Sequence, residues 1–342
     1  MRHLTFNRIK VILFGQFTVI YGFLLIFGAC HTRPRGASEP LVHRAEEAQF
    51  SPNPAASFQD AVVQVSYRHL IGPGSERCTG VLIAPEVVLT AAHCFGHHET
   101  KDWVEKNNIS VVYNHKTAVH WIHISDFRIH PEYQMIQIKE GDNGIESRGD
   151  MILLRLHEKV ALSGEFFPIL IHDPGILKNI LNESPQMSVF GFGMNDLGSV
   201  KNVLTFGSMI ASPPTRCPGG RRQDSGSVVG WFCSKSLSRA VSVGRGDSGG
   251  PVTLFDVQTN RSYLVGLVAS ATHVYDAGQL KKLRTSYYTT LDLLFPGQKE
   301  NWIQSTLRQW GVESSVKWAG TADEKKLLSQ LRMASSSPCR LQ

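Results

Sequence analysis

An all-β sandwich or barrel is the fold class this chain predicts, and three observations carry it. Short β-branched and aromatic runs recur along most of its length, Gly, Pro, Asn and Asp stand between them, and helical spacing appears only near the end. With 42% apolar and 19% charged residues, 342 residues suffice for one large domain or two small ones, which excludes disordered, collagen-like and coiled-coil classes.

At the N-terminus, Arg2, Arg8 and Lys10 precede an apolar run from Val11 to Ala29, the charge-then-apolar order of a secretory signal. Gly28-Ala29 then leads into Cys30, which is similar to the bacterial lipobox, although Phe27 stands where an aliphatic residue is usual. Residues 1–30 are therefore expected to be a signal ending at a lipidated Cys30, with a cleaved signal lacking lipid or an uncleaved anchor as alternatives. All three put the rest of the chain outside the cytoplasm, as a membrane-anchored lipoprotein or a secreted protein. Residues 31–58, with prolines at 34, 40, 52 and 54 and no helical or strand period, read as a tether or propeptide-like linker.

Strands are expected at Ala61–Tyr67, Gly80–Ile83, Val87–Thr90, Ile109–Tyr113, Val119–Ile124, Met151–Leu156, Met187–Phe192, Leu264–Ala269 and Ser286–Leu291. Trp302, Ile303, Leu307 and Trp310 fall three and four apart and predict a helix, and Leu327, Leu328 and Leu331 predict another over Lys325–Met333. No internal repeat of fixed period is visible. The 35 basic and 29 acidic residues give +6, and removing Arg2, Arg8 and Lys10 leaves only about +3, too weak and scattered for nucleic-acid binding. Six cysteines, at 30, 78, 94, 217, 233 and 339, suggest two local bridges and two leftovers in an oxidising compartment.

Three segments carry chemistry: Thr90-Ala91-Ala92-His93-Cys94, Gly149-Asp150-Met151-Ile152-Leu153-Leu154 and Gly246-Asp247-Ser248-Gly249-Gly250-Pro251. Singly, each has a plain structural reading: a core or surface histidine, a strand cap, a glycine turn. Jointly they supply what a serine nucleophile needs at neutral pH, a histidine to take its proton and a carboxylate to fix that histidine's tautomer.

In that order and with those flanks, the chain resembles the chymotrypsin-like (trypsin-fold) serine proteases, of the bacterial secreted or lipoprotein type. Gln64-Val65-Ser66, Cys78-Thr79-Gly80-Val81-Leu82-Ile83, His130-Pro131-Glu132-Tyr133, Val189-Phe190-Gly191-Phe192-Gly193 and the helix at Asn301–Trp310 extend the resemblance over residues 59–310, the expected protease domain. The resemblance implies two packed six-stranded β-barrels with a C-terminal helix. It implies His93 as general base, Asp150 as its orienting partner and Ser248 as nucleophile, with the N–H groups of Gly246 and Ser248 as the oxyanion hole. It further implies Cys78–Cys94 and Cys217–Cys233 bridges, each constraining the unfolded chain by roughly 3 kcal/mol. No C-x-x-C pair supports a metal site, and neither a metal nor a cofactor is expected. The expected activity is serine endopeptidase on protein or peptide substrates; a narrow esterase-like hydrolase and a catalytically silent protease-fold binding protein are the alternatives.

Departures from the family pattern are also legible. Asp247 matches the aspartate that pairs with the ammonium released by activation cleavage, yet Phe50-Ser51-Pro52-Asn53 does not look like the usual new N-terminus. Asp247 therefore needs another partner or an atypical processed end, or the oxyanion hole is poorly formed at rest. The resemblance implies Ser242 at the floor of the primary pocket, Ala269-Ser270-Ala271 as one wall and Ser286 near the other, which favours medium or small apolar side chains. Gly244 occupies a bridge cysteine's place. The acidic stretch Gln134–Arg148 reads as a solvated loop, a calcium site or a cover over the cleft. Residues 311–342 read as a C-terminal extension: a tail, a partner-docking helix or a cap on the protease surface. Asn108, Asn182 and Asn260 begin N-x-Ser sequons, relevant only in a eukaryotic host.

Overall fold

A computed structural model describes residues 56–68, 76–97, 102–115, 118–137, 145–162, 166–193, 203–213, 217, 230–236, 243–256, 258–275, 282–290 and 301–336. Cys30, Ser242 and Cys339 lie outside the described residues, as do the signal, most of the tether and the centre of the acidic stretch.

The β-branched run at Val62–Tyr67 (β1) is buried along its whole length, so its outward as well as its inward face is covered. It pairs with Glu76–Ala84 (β2), which turns into Val87–Thr90 (β3); Ile109–His115 (β4), Ala118–Ile129 (β5) and Ile152–Leu156 (β6) complete the set. Antiparallel pairing runs in the order β1-β2-β3-β6-β5-β4 and returns to β1, so the barrel has no free edge.

Six further strands are Gln186–Gly191 (β7), Thr205–Ser212 (β8), Trp231–Ser236 (β9), Pro251–Asp256 (β10), Arg261–Tyr275 (β11) and Lys282–Thr290 (β12). They pair antiparallel as β7-β8-β9-β12-β11-β10, and β10 also pairs with β7. The second ring thus repeats the topology of the first, a duplication that left no periodic trace in the sequence. The two-barrel expectation holds. Strands β8, β9 and β10 escaped the sequence reading because polar and small residues interrupt them.

The one-turn helix α1 (Ala56–Gln59) overlaps the end of the stretch read as linker, and the barrel domain begins there. Phe58 explains why: it is buried and meets Phe190 of β7 edge-on at 5.2 Å, joining the chain's entry to the second barrel. Helix α2 (Pro174–Asn182), not expected from the sequence, starts at Asp173, whose carboxylate accepts the Gly175 and Ile176 N–H groups, with Pro174 in the first turn.

Helix α3 (Trp302–Gln309) is capped by buried Asn301, which accepts the Ile303 N–H at 2.8 Å. Ile303 and Leu307 join the core of the first barrel, and Trp310 Nε1 donates to Asp126 of β5 at 3.1 Å. This helix therefore packs against the first barrel.

Beyond it, the extension forms a cap on the second barrel. Lys317–Trp318 pairs in parallel with Ile169–Leu170, which pairs with β11, and helix α4 (Thr321–Ser336) follows. Buried Asp256, at the end of β10, holds α4: it takes Lys326 Nζ at 2.7 Å, Gln330 Nε2 at 2.6 Å, and the Thr259 hydroxyl and Gln258 N–H from its own turn. Tyr263 donates to Asp323 and Asn179 to Glu324. Burial alone would raise the Asp256 pKa, but these donors outweigh it and hold the carboxyl well below the usual carboxylate range. The paired carboxylate therefore adds stability above an ordinary Asp pKa and loses it as pH falls. Asp256→Ala should cost about 3 kcal/mol, read as a lower Tm at pH 7, with the difference narrowing as the pH is lowered below 4.

Candidate active site

Each candidate side chain is placed by a local device. After β3 the chain enters a single 3-10 turn at Ala92–Cys94, tied back to β2 by the Cys78–Cys94 disulfide, so His93 leaves the barrel wall on a braced turn. Strand β6 pairs with β3 with Ile152 opposite Thr90, and this register carries Asp150, two residues earlier, alongside the histidine. Asp150 is fully buried and accepts twice from His93: from the backbone N–H at 2.9 Å and from Nδ1 at 2.6 Å. A carboxylate can only accept, so the proton lies on Nδ1. Burial disfavours the imidazolium, yet the charge and hydrogen bond of Asp150 outweigh it and raise the His93 pKa above its ordinary value.

The Asp150 turn rests on the His130-Pro131-Glu132-Tyr133 segment. Gly149 has φ +59°, and a Cβ there would lie 2.7 Å from His130 Nδ1, so the contact requires glycine. His130 is buried against Trp302, and burial lowers its pKa to about 4, which keeps it neutral. Tyr133 is also buried; burial first, then the Asp150 charge, pushes its phenol up and keeps it uncharged.

Ser248 sits in the turn that follows the second bridge, Cys217–Cys233. Its carbonyl accepts the Thr79 N–H at 2.9 Å, and the Gly249 N–H donates to Val268 at 2.8 Å. Gly249 has φ +77°, and a Cβ on it would fall 2.1 Å from Thr90 Oγ1 and 2.6 Å from Ala91 N. The serine turn therefore presses directly on the segment that delivers His93. Gly246, at φ +96°, adopts the left-handed backbone expected of an oxyanion-hole donor.

Asp247 answers the question of its partner. Its buried carboxylate accepts the Gly193 N–H and the Gly244 N–H, both at 2.8 Å. A Cβ at Gly191 or Gly193 would lie 2.1 and 2.4 Å from Asp247 Oδ1, so this cradle is shaped by absent side chains. Burial pushes its pKa up to about 6 against the opposing pull of the two amides. That backbone amides serve as its partners is not legible in the residues themselves, because only the approach of two glycine-containing segments creates the cradle.

In the segment expected to line the primary pocket, Ala269 is the extra residue of a β-bulge, between Val268 opposite Tyr288 and Ser270 opposite Tyr287. Ala271 and Ser286, read as facing walls, are register partners on β11 and β12. Exposed Arg245, between Gly244 and Gly246, reaches Glu76 of β2 at 3.7 Å, and Tyr67 donates to the same carboxylate.

Two barrels of one topology, with a His–Asp pair on the first and a glycine-rich serine turn on the second, define the class as the chymotrypsin-like serine proteases. The chain belongs to the trypsin family, whose model, described as Trypsin, matches residues 50–289. It is 28% identical over 209 residues to mouse vitamin K-dependent protein C, covering 56% of this chain and 40% of that protein. It is 26% identical over 183 residues to mouse kallikrein 1-related peptidase b21, covering 51% and 64%. To the serine protease Hayan of Drosophila melanogaster it is 23% identical over 210 residues, covering 58% and 31%. The chain thus spans less than two thirds of the length of each of these relatives.

Proposed function

We propose that this protein is a serine endopeptidase acting on protein or peptide substrates outside the cytoplasm. Ser248 Oγ attacks the scissile carbonyl carbon while His93 Nε2 takes its proton; the carbonyl oxygen becomes an oxyanion facing the N–H groups of Gly246 and Ser248. Collapse breaks the C–N bond, His93 returns the proton to the departing amine, and water repeats the sequence to release the acid from Ser248. The observation that carries this reading is the double acceptance of His93 by buried Asp150, which leaves Nε2 as the ring's proton acceptor.

The small side chains at Ala269, Ser270, Ala271, Ser286 and Ser242 support a primary pocket for medium or small apolar residues rather than Arg or Lys. Two bridges fit an oxidising compartment. The charged and apolar N-terminal segment supports export, with Cys30 as the candidate lipid attachment point.

The test is intact mass before and after a fluorophosphonate probe, with Ser248→Ala in parallel. A single adduct on the wild type and none on the variant is the expected result; an unlabelled, folded wild type would overturn the peptidase reading in favour of a binding role. The unlabelled mass also reports the mature N-terminus and any lipid on Cys30.

A further inference from the structure

Gly246 presents a mechanical problem that the catalytic groups do not solve. Its N–H must face the oxyanion, its φ of +96° calls for glycine, and glycine is the residue least able to hold one backbone setting by itself. Something outside the turn has to hold it. The Asp247 carboxylate fixes the turn at Gly244, two residues before Gly246. On the other side stands Thr79 of β2, fully buried, with every polar atom engaged.

The Thr79 hydroxyl donates to the Gly246 carbonyl at 2.8 Å and accepts the Phe192 N–H at 2.9 Å. Its backbone N–H donates to the Ser248 carbonyl at 2.9 Å, and its carbonyl accepts the Thr90 hydroxyl at 2.6 Å. One residue of the first barrel thus grips Gly246 and Ser248, the two residues whose N–H groups would receive the oxyanion. It also bonds the end of β7 and the strand that leads to His93. A hydroxyl has one proton and here uses it on Gly246, so the direction of the bond is set by Phe192, which can only donate.

We propose that Thr79 is a positioning residue for peptide hydrolysis: its hydroxyl pins the Gly246 carbonyl and so sets the oxyanion-hole backbone from the opposite barrel. The proposal rests on the peptidase reading for its effect on rate, and on the hydrogen bonds alone for its effect on the loop. Touching no reacting atom, Thr79 acts through Gly246.

The test compares Thr79→Val, nearly the same shape without the hydroxyl, with Thr79→Ser, which restores it. Rates on a peptide substrate are normalised to the fraction of sites that a fluorophosphonate probe labels at completion, so partial misfolding does not enter. The expected result for T79V is a kcat per labelled site lower by about 10- to 100-fold, below the full loss of an oxyanion donor. KM should stay within about threefold and T79S should recover most of the rate. Amide exchange across residues 243–250 should accelerate in T79V and not in T79S. A T79V kcat per site equal to wild type, or a T79S as slow as T79V, would overturn the proposal. Should the wild type take no label, the peptidase reading fails separately; exchange then decides, and equal protection in wild type and T79V removes the brace as well.

Discussion

Asp150→Asn should lower kcat by about 10⁴-fold with little change in KM, the loss known when a triad aspartate becomes an amide. The size follows from which atoms face each other. Asp150 offers one oxygen to the His93 N–H and the other to Nδ1. An amide keeps one oxygen, and the backbone N–H, which cannot turn away, claims it. The amide's NH₂ then faces Nδ1, which must give up its proton and accept. The imidazole carries its proton on Nε2 instead, where a serine would need a vacant lone pair. The barrier rises by about 5 kcal/mol, while the near-identical shape of Asn keeps the fold and substrate contacts. A second signature accompanies the loss. The charge that raises the His93 pKa is gone and burial remains, so the residual activity should hold to lower pH than in the wild type. Kinetics of D150N from pH 5 to 9, with Tm as control, provide the check; a rate within tenfold of wild type would reduce the His93–Asp150 pair to a structural contact.

The His93, Asp150 and Ser248 segments were legible because each is a short run whose neighbours encode its own turn. Both disulfides were legible from their cysteines, which lie 16 apart in each pair. What the sequence did not disclose depends on register between distant strands. Thr79 looks like any β-branched strand residue until β2 is set against residues 192 and 246. Asp256 looks like a surface turn residue until α4 arrives from 70 positions further on and supplies Lys326. The apolar leucines of α4 predicted a helix but left open what it covers, because the deciding contacts are polar and come from β10 and α2. The expected pocket walls rest on positions matched to a family pattern, whereas the bulge at Ala269 appears only when β11 pairs with β12, because one unpaired residue leaves no mark in composition.

The acidic limb of the pH–rate profile should contain two protons. Activity needs neutral His93, and its raised pKa puts the first loss of activity above pH 6.5 as the pH falls. Asp247 titrates next, at about 6. As an anion it accepts both the Gly193 and Gly244 N–H groups; protonated, it holds them weakly and the oxyanion turn loses its second anchor. Below pH 6 the slope of log kcat/KM against pH should therefore steepen from about one towards two. Asp247→Asn offers one acceptor oxygen to two N–H donors. It should be slower by about 10- to 100-fold at pH 8 and keep a slope of one throughout. Stability should move the other way. The folded pKa of Asp247 lies above its unfolded value of 3.8, so the folded state binds the proton more tightly. Stability then falls as pH rises from 3.8 to about 6, by about 3 kcal/mol. Removing the buried charge should make D247N at least as stable as wild type at pH 7, although it is less active, as expected where a strained group is kept for function. A wild-type slope of one down to pH 5, matched by D247N, would mean that the turn holds its shape without the anion. In that case the Thr79 hydroxyl, which does not titrate, would be the stronger of the two anchors on the oxyanion turn.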